Sequence, residues 1–264
     1  MTLKFCSIAS GSSGNCQYIQ TDKVKLLIDA GLSGKRIQNG LESVGIDPKT
    51  LDGILVTHEH KDHIKGVGIL SRRFNIPIYA NNNTWDNMRS YLGKLEDKNI
   101  QIINTNDDFN IKNLNISTFN TSHDAVDSLG YSFEFNNKKV SIVTDTGIID
   151  DNIKNKIKNS DILMLESNHD IEMLKVGRYP YFLKKRILSN IGHLSNETAG
   201  NIISDIFTGK RQRVLLAHLS EENNFPELAY QTVVNILKDK GINVNKDIDL
   251  EVAHRSIPTL LYSL

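Results

Sequence analysis

The chain is poor in cysteine, tryptophan and proline. Two cysteines among 264 residues, Cys6 and Cys16, exclude a disulfide scaffold and read as free thiols. Five scattered prolines leave no proline-rich linker. Net charge of one sign is missing as well: 31 Lys and Arg balance 31 Asp and Glu. No global field therefore draws the chain to nucleic acid or to a membrane. No apolar run approaches the roughly 20 residues that span a bilayer. Met1-Thr2-Leu3-Lys4-Phe5 reads as a strand, not as a secretory signal. These absences point to a cytoplasmic globular enzyme with no membrane partner. They carry no signal of oligomeric state.

What is present is an alternation of strands and helices. Leu3 to Ile8 reads as a strand and runs into the glycine-serine loop Ser10-Gly11-Ser12-Ser13-Gly14-Asn15. Cys16 to Gln20 and Val24 to Asp29 read as strands. Ile37, Leu41 and Val44 have helical spacing, with Gly45 as the stop. A helix carrying Ile64, Val67 and Leu70 on one face is expected after a short buried strand, Ile54 to Thr57. Asn83-Thr84 is expected to cap a helix that buries Trp85, Met88 and Leu92. From Ile100 to Asp145 the pattern is strand-rich, with a hairpin at Asn136-Asn137. Strands Ile162 to Leu165, Val214 to Ala217 and Leu250 to Ala253 then alternate with helices Asn196 to Phe207 and Pro226 to Lys240. The class is mixed α/β.

The densest chemistry is His58-Glu59-His60-Lys61-Asp62-His63. Four candidate metal ligands follow the apolar run Ile54-Leu55-Val56. Imidazole and carboxylate together suit zinc, with manganese or iron as alternatives. Histidines at i and i+2 leave an extended segment on one side. Adding Asp62 and His63 crowds one ion and suits two. Three further apolar strands end in ligand-type residues: Ile116 to Phe119 before His123, Val140 to Thr144 before Asp145, and Val214 to Ala217 before His218.

The opening hexapeptide resembles the H-x-H-x-D-H signature of the metallo-β-lactamase superfamily of hydrolases, and the later His, Asp, His order resembles its remaining motifs. The resemblance implies a four-layer αββα sandwich: two mixed sheets face to face, with helices outside. It implies two divalent ions, zinc or manganese, with iron as a further choice. His58, His60 and His123 would take one ion, and Asp62, His63 and His218 the other. Asp145 would bridge them, and Asp29 would orient a ligand histidine from behind. Antibiotic-hydrolysing members generally place a cysteine in the second site and lack the bridging carboxylate, so β-lactamase activity is not expected here.

A narrower resemblance runs nearly end to end. Ser10 to Asn15, Glu166-Ser167-Asn168-His169-Asp170, Tyr179-Pro180-Tyr181, Gly192-His193-Leu194-Ser195-Asn196 and His218-Leu219-Ser220-Glu221-Glu222-Asn223 look like the YycJ (WalJ) family of metal-dependent nucleases. It implies one metallo-β-lactamase-fold domain over residues 1–264 without a β-CASP insertion. The implied activity is 5′-to-3′ DNA exonuclease, linked to replication or repair, with RNA the less favoured partner. Asp62 would orient the attacking oxygen and take its proton. His193 would protonate the leaving oxygen. Asn168, His169, Lys184 and Arg186 are candidate substrate contacts.

Local charge adds to this. Residues 171–213 hold eight basic residues (Lys175, Arg178, Lys184, Lys185, Arg186, Lys210, Arg211, Arg213) against three acids (Glu172, Glu197, Asp205). Such a face could hold a phosphate backbone, with Tyr179, Tyr181 and Phe182 stacking on bases. The competing readings are a thiolester or small-ester hydrolase of the glyoxalase II type, an RNA-processing nuclease, and a metal-binding scaffold without turnover.

Overall fold

The computed structural model describes residues 2–264. The strands of the first half are β1 (Lys4–Ala9), β2 (Cys16–Gln20), β3 (Lys25–Ile28), β4 (Gly53–Leu55), β5 (Ile78–Ala80) and β6 (Ile100–Ile102). Those of the second are β7 (Asp108–Ile111), β8 (Leu114–Asn120), β9 (Leu129–Phe135), β10 (Lys138–Val143), β11 (Ile162–Glu166), β12 (Gln212–Ala217) and β13 (Ile248–Val252). A final strand, β14 (Tyr262–Ser263), returns to pair with β1. The helices are α1 (Gly34–Ser43), α2 (Lys61–Ile64), α3 (Val67–Phe74), α4 (Asn82–Leu92), α5 (Asp151–Ile157), α6 (Ile171–Val176), α7 (Tyr181–Ile187), α8 (Asn196–Ile206) and α9 (Pro226–Asp239).

Two seven-stranded sheets result, ordered β14-β1-β2-β3-β4-β5-β6 and β13-β12-β11-β10-β9-β8-β7. Each runs antiparallel through β3 or β10 and parallel beyond it. Three apolar layers hold the stack. Phe5, Ile19, Leu26 and Ile28 of one sheet meet Ile116, Tyr131, Phe133, Ile142 and Met164 of the other. Ile37, Leu41, Val67, Leu70, Trp85 and Met88 cover the outer face of the first sheet. Ile153, Ile202, Ile203, Val233 and Leu237 cover the second. This is the αββα sandwich expected from the sequence.

Three details differ from the expectations. The cap of α4 is Asn81, whose side chain accepts the Thr84 amide, two residues before the expected Asn83. The single helix expected after the His-rich loop is two, α2 and α3, divided at Lys65-Gly66. The division lets Gly66 donate its amide to Ala30 O at 2.7 Å. The basic run 171–213 is not one face. Lys210, Arg211 and Arg213 lie at the start of β12, where they pair with Asp161, Asp249 and Glu251. His218 follows the other end of that six-residue strand, about 20 Å away at 3.3 Å per residue. The Asn136-Asn137 turn has φ of 50° and 61°, as a tight hairpin requires.

Candidate metal centre

All the candidate ligands stand at one end of the sandwich, just past strand C-termini. His58, His60, Asp62 and His63 follow β4, His123 follows β8, Asp145 follows β10 and His218 follows β12. Asp29, Asp145 and His218 sit in the left-handed region, with φ of 59°, 56° and 55°. Asp and His tolerate it better than most residues, at about 1–3 kcal/mol each. The turns aim their side chains into one cluster.

Four of the five imidazoles have Nδ1 held by the protein, which leaves Nε2 for the cluster. His58 Nδ1 donates to Thr57 Oγ1 at 2.9 Å, and Thr57 Oγ1 donates on to Asp29 Oδ2 at 2.9 Å. His63 Nδ1 donates to the same Asp29 oxygen at 2.7 Å. His123 Nδ1 donates to Gly192 O at 3.3 Å, and His218 Nδ1 to Glu166 Oε1 at 2.8 Å. His60 is half-buried, its ring centre 4.6 Å from His58 and 5.1 Å from His123.

Among the described residues, four overlapping groups of possible ligands result, including His58, His63 and Asp145, and Asp145, Glu166, His193 and His218. His58, His60 and His123 bring one ligand atom each within 4.8 Å of one another, and so do Asp62, His63 and His218. Asp145 lies between them: Oδ2 is 3.3 Å from His63 Nε2, and Oδ1 is 3.8 Å from His123 Nε2. The fit to cations rests on buried atoms with no hydrogen-bond partner. His58 Nε2, His218 Nε2 and Asp145 Oδ2 are such atoms. Leaving them so would cost about 1–3 kcal/mol apiece or more, a cost that divalent ions bound among them would offset. Asn15 Nδ2, 3.2 Å from His63 Nε2, is the one donor that would have to give way.

Electrostatics divide the histidines. Burial lowers the His58 and His123 pKa values, keeping both rings neutral as ligands must be. Burial would lower His63 and His218 too. The carboxylates of Asp29, Asp145 and Asp62 outweigh it at His63 and hold its pKa well above the usual value. Asp145, Asp62 and Glu166 carry His218 up to about 10. Asp62 and Asp145 stay ionised against burial because imidazoles surround them.

Several supports were not among the site residues expected from the sequence. Glu166 closes β11 fully buried. Its Oε1 accepts His193 Nδ1 and His218 Nδ1, both at 2.8 Å, and its Oε2 accepts the amides of Thr146 and Leu194. Burial would raise its pKa, but the two imidazoles bring it to about 2. Its oxygens are thus committed to hydrogen bonds that orient His193 and His218. The signal was present: Glu166 ends an apolar strand, as the other candidates do. The glycine-serine loop also matters. Ser10 Oγ accepts the His218 amide at 2.8 Å, and Asn15 N donates to Asp62 O at 2.8 Å. A Cβ on Gly31 would lie 1.6 Å from Asp62 O, so only glycine admits this approach. Glu59 Oε1 accepts the Val126 amide at 3.0 Å and ties the His-rich loop to the loop of His123.

The expected substrate contacts fare differently. Asn168 is buried, and its Nδ2 donates to His218 O at 2.9 Å. His169 is 1% exposed, with neither ring nitrogen hydrogen-bonded. Neither offers a face to a substrate; Asn168 is spent on bracing the loop of His218. Arg186 is bonded to Asp124, the neighbour of His123. Lys184 Nζ donates to Lys175 O at 2.7 Å and stays at the surface. His193 is half-buried, its ring centre 5.1 Å from His123 and 5.4 Å from His218.

Residues 25–219 match the β-lactamase superfamily domain. The protein YhfI of Bacillus subtilis, a metallo-β-lactamase fold protein, superposes with a TM-score of 0.73 at 16% identity over the whole of both chains. The short form of human tRNase Z superposes with a TM-score of 0.65 at 16% identity, covering 98% of this chain and 99% of the other. Fold and site together make this a metal-dependent hydrolase of the metallo-β-lactamase fold. Exodeoxyribonuclease YycJ of Bacillus anthracis is 41% identical over 259 residues, 98% of each chain. Exodeoxyribonuclease WalJ of Streptococcus pneumoniae serotype 2 is 42% identical over 246 residues, 92% of this chain and 91% of the other. The chain belongs to the YycJ/WalJ family.

Proposed function

We propose that this protein is a two-metal exodeoxyribonuclease that degrades DNA from the 5′ end in replication or repair. The ligand sets are His58, His60 and His123 for one ion and Asp62, His63 and His218 for the other, with Asp145 between. Zinc or manganese suits five imidazoles and two carboxylates, with iron as a third choice. We take the two sheets as one domain without a β-CASP insertion; the short span from Asp145 to His218, filled by α5 to α8, β11 and β12, supports this. The cytoplasm, where DNA lies and thiols stay reduced, is the compartment. Cys6 and Cys16 are both free.

The observation that carries the phosphodiester reading is the bond from His193 to Glu166, at 2.8 Å. A carboxylate that accepts from Nδ1 fixes the ring and leaves Nε2 facing the cluster. A thiolate leaves readily without a proton, whereas a nucleotide hydroxyl does not. A poised donor beside the metal ligands is thus suited to a phosphodiester and superfluous for a thiolester. When bound, the two ions would supply an activated water at neutral pH and stabilise charge on the attacking and leaving oxygens. Asp62 Oδ2 lies 3.5 Å from His63 Nε2 and 3.7 Å from His218 Nε2, placed to orient that water and accept its proton. His193 then protonates the leaving oxygen. The relatives' names, exodeoxyribonuclease, favour DNA over RNA.

The test is time-resolved product mapping on DNA labelled at either end, with zinc or manganese, beside matched RNA and a thiolester. Mononucleotides released first from the 5′ end are expected. Faster turnover of the thiolester, or internal cuts preceding end products, would overturn the reading.

A further inference from the structure

The segment from α6 to the loop before His193 carries large apolar side chains in water. Among the described residues, Val176, Tyr181, Phe182, Leu188 and Ile191 are exposed, five of the thirteen such side chains in the chain. Tyr181 is 81% exposed and Phe182 73%. A concentration of that kind beside a reactive site marks a binding surface.

Its chemistry selects the occupant. Tyr181, Lys184, Lys185 and Leu188 fall at helical spacings i, i+3, i+4 and i+7. With Lys175 and Ser189 they line a cavity of about 440 Å³, within the roughly 300–1,000 Å³ of small-ligand pockets. Phe182 stands one turn before Arg186, on the side of α7 that reaches the metal centre through Asp124. The end of α7 is tied to the reactive residues as well: His193 N donates to Ile187 O at 3.0 Å. Flat rings interleaved with surface ammonium groups match a chain of bases joined by phosphates.

We propose that α7 is a stacking platform for unpaired nucleotides, which feeds a single strand past Arg186 to the metal centre. This rests on the nuclease reading above. Bases lie on Tyr181 and Phe182, phosphates meet Lys184 and Lys185, and the Arg186–Asp124 pair sets the distance to His123. Duplex ends must then fray before they are cut, and the aromatic pair holds the frayed strand open.

The experiment measures binding of dye-labelled, phosphorothioate-linked single strands to zinc-loaded protein. A matching abasic strand, which keeps the phosphates and lacks the bases, is the second probe. Wild type is expected to favour the base-bearing strand by about tenfold or more, the scale of one stacked base. The Tyr181→Ala/Phe182→Ala double variant should lose that preference and bind both strands equally. Tyr181→Phe should keep it, and Lys185→Gln should weaken both strands alike and flatten the salt dependence. Zinc content and Tm establish that each variant is folded. A double variant with the wild-type preference, while wild type cleaves DNA, overturns the platform and leaves the nuclease reading standing. Wild type that neither binds nor cleaves overturns both. A concentration-dependent mass in wild type that the double variant abolishes makes the patch a self-association surface, and the proposal falls.

Discussion

Glu166 Oε1 accepts His193 Nδ1 at 2.8 Å, and the same oxygen accepts His218 Nδ1 at 2.8 Å. One buried carboxylate thus orients the proposed proton donor and a proposed metal ligand together. Removing the donor and removing its holder should therefore differ. His193→Ala should retain both metals and lose about 10²–10⁴-fold in turnover, the range of one general acid. The loss should shrink on a nucleotide ester whose leaving group needs no proton, such as a p-nitrophenyl ester. Glu166→Gln should show a comparable turnover loss and also weaken metal binding, by about 10–100-fold. Metal analysis and turnover on both substrates separate the two. Equal defects of His193→Ala on good and poor leaving groups would remove the donor role.

Metal loss should follow the ligand groups. His60→Ala empties the site it shares with His58 and His123, whereas Asp145→Ala disturbs both, because its carboxylate lies between them. Asp29→Ala should act differently. It unpins His63 and Thr57 without removing a ligand, so affinity should fall by about 10–100-fold with stoichiometry recoverable at high metal. Elemental analysis after dialysis against graded metal checks this. Full stoichiometry in Asp145→Ala would contradict the bridging position.

Most of the cluster was legible because its residues sit where apolar runs stop, and a β-sandwich brings strand ends together. His58, His123, Asp145 and His218 all obey that rule. Glu166 obeys it too, but a carboxylate behind two histidines leaves no spacing in the chain to betray its partners. Asn168 and His169 misled for the reverse reason. They lie in a polar run beside the site, and their burial follows from loop packing that periodicity does not encode. The cap at Asn81 and the break at Gly66 are likewise tertiary. Gly66 donates to Ala30, 36 positions earlier in the chain.

Metal loading should expel protons. His218 has a pKa of about 10 in the metal-free protein. Its raised value adds stability fully below the unfolded pKa of ~6.5, and that contribution fades as pH rises towards 10. A metal takes only the neutral ring, so between those limits an ion that binds Asp62, His63 and His218 must release the His218 proton and that of His63, whose pKa is raised as well. Metal affinity should therefore rise with pH over that interval. Titration calorimetry at pH 7.5, in buffers of different ionisation enthalpy, reads the number released. A binding heat independent of buffer would show that both rings are already neutral.

His169 should make the fold acid-sensitive with the opposite sign. Burial lowers its pKa to about 4, and neither ring nitrogen has a partner to offset a charge. Between pH 6.5 and 4 the unfolded chain binds a proton at this position and the native protein does not. Unfolding free energy then falls as the solution is acidified. With an unfolded pKa near ~6.5, the loss is about 2 kcal/mol by pH 5 and about 3 kcal/mol when complete. Other groups titrate in the same range, so the comparison is a difference. Urea unfolding of wild type and His169→Phe, both in chelator, at pH 7.5 and pH 5, isolates the one residue. The variant should lose about 2 kcal/mol less than wild type on going to pH 5. Its stability at pH 7.5 can move either way, because the ring loses two unpartnered nitrogens and gains volume. Parallel pH slopes for the two proteins would mean that His169 accepts its proton without unfolding, from a partner that its present position does not supply.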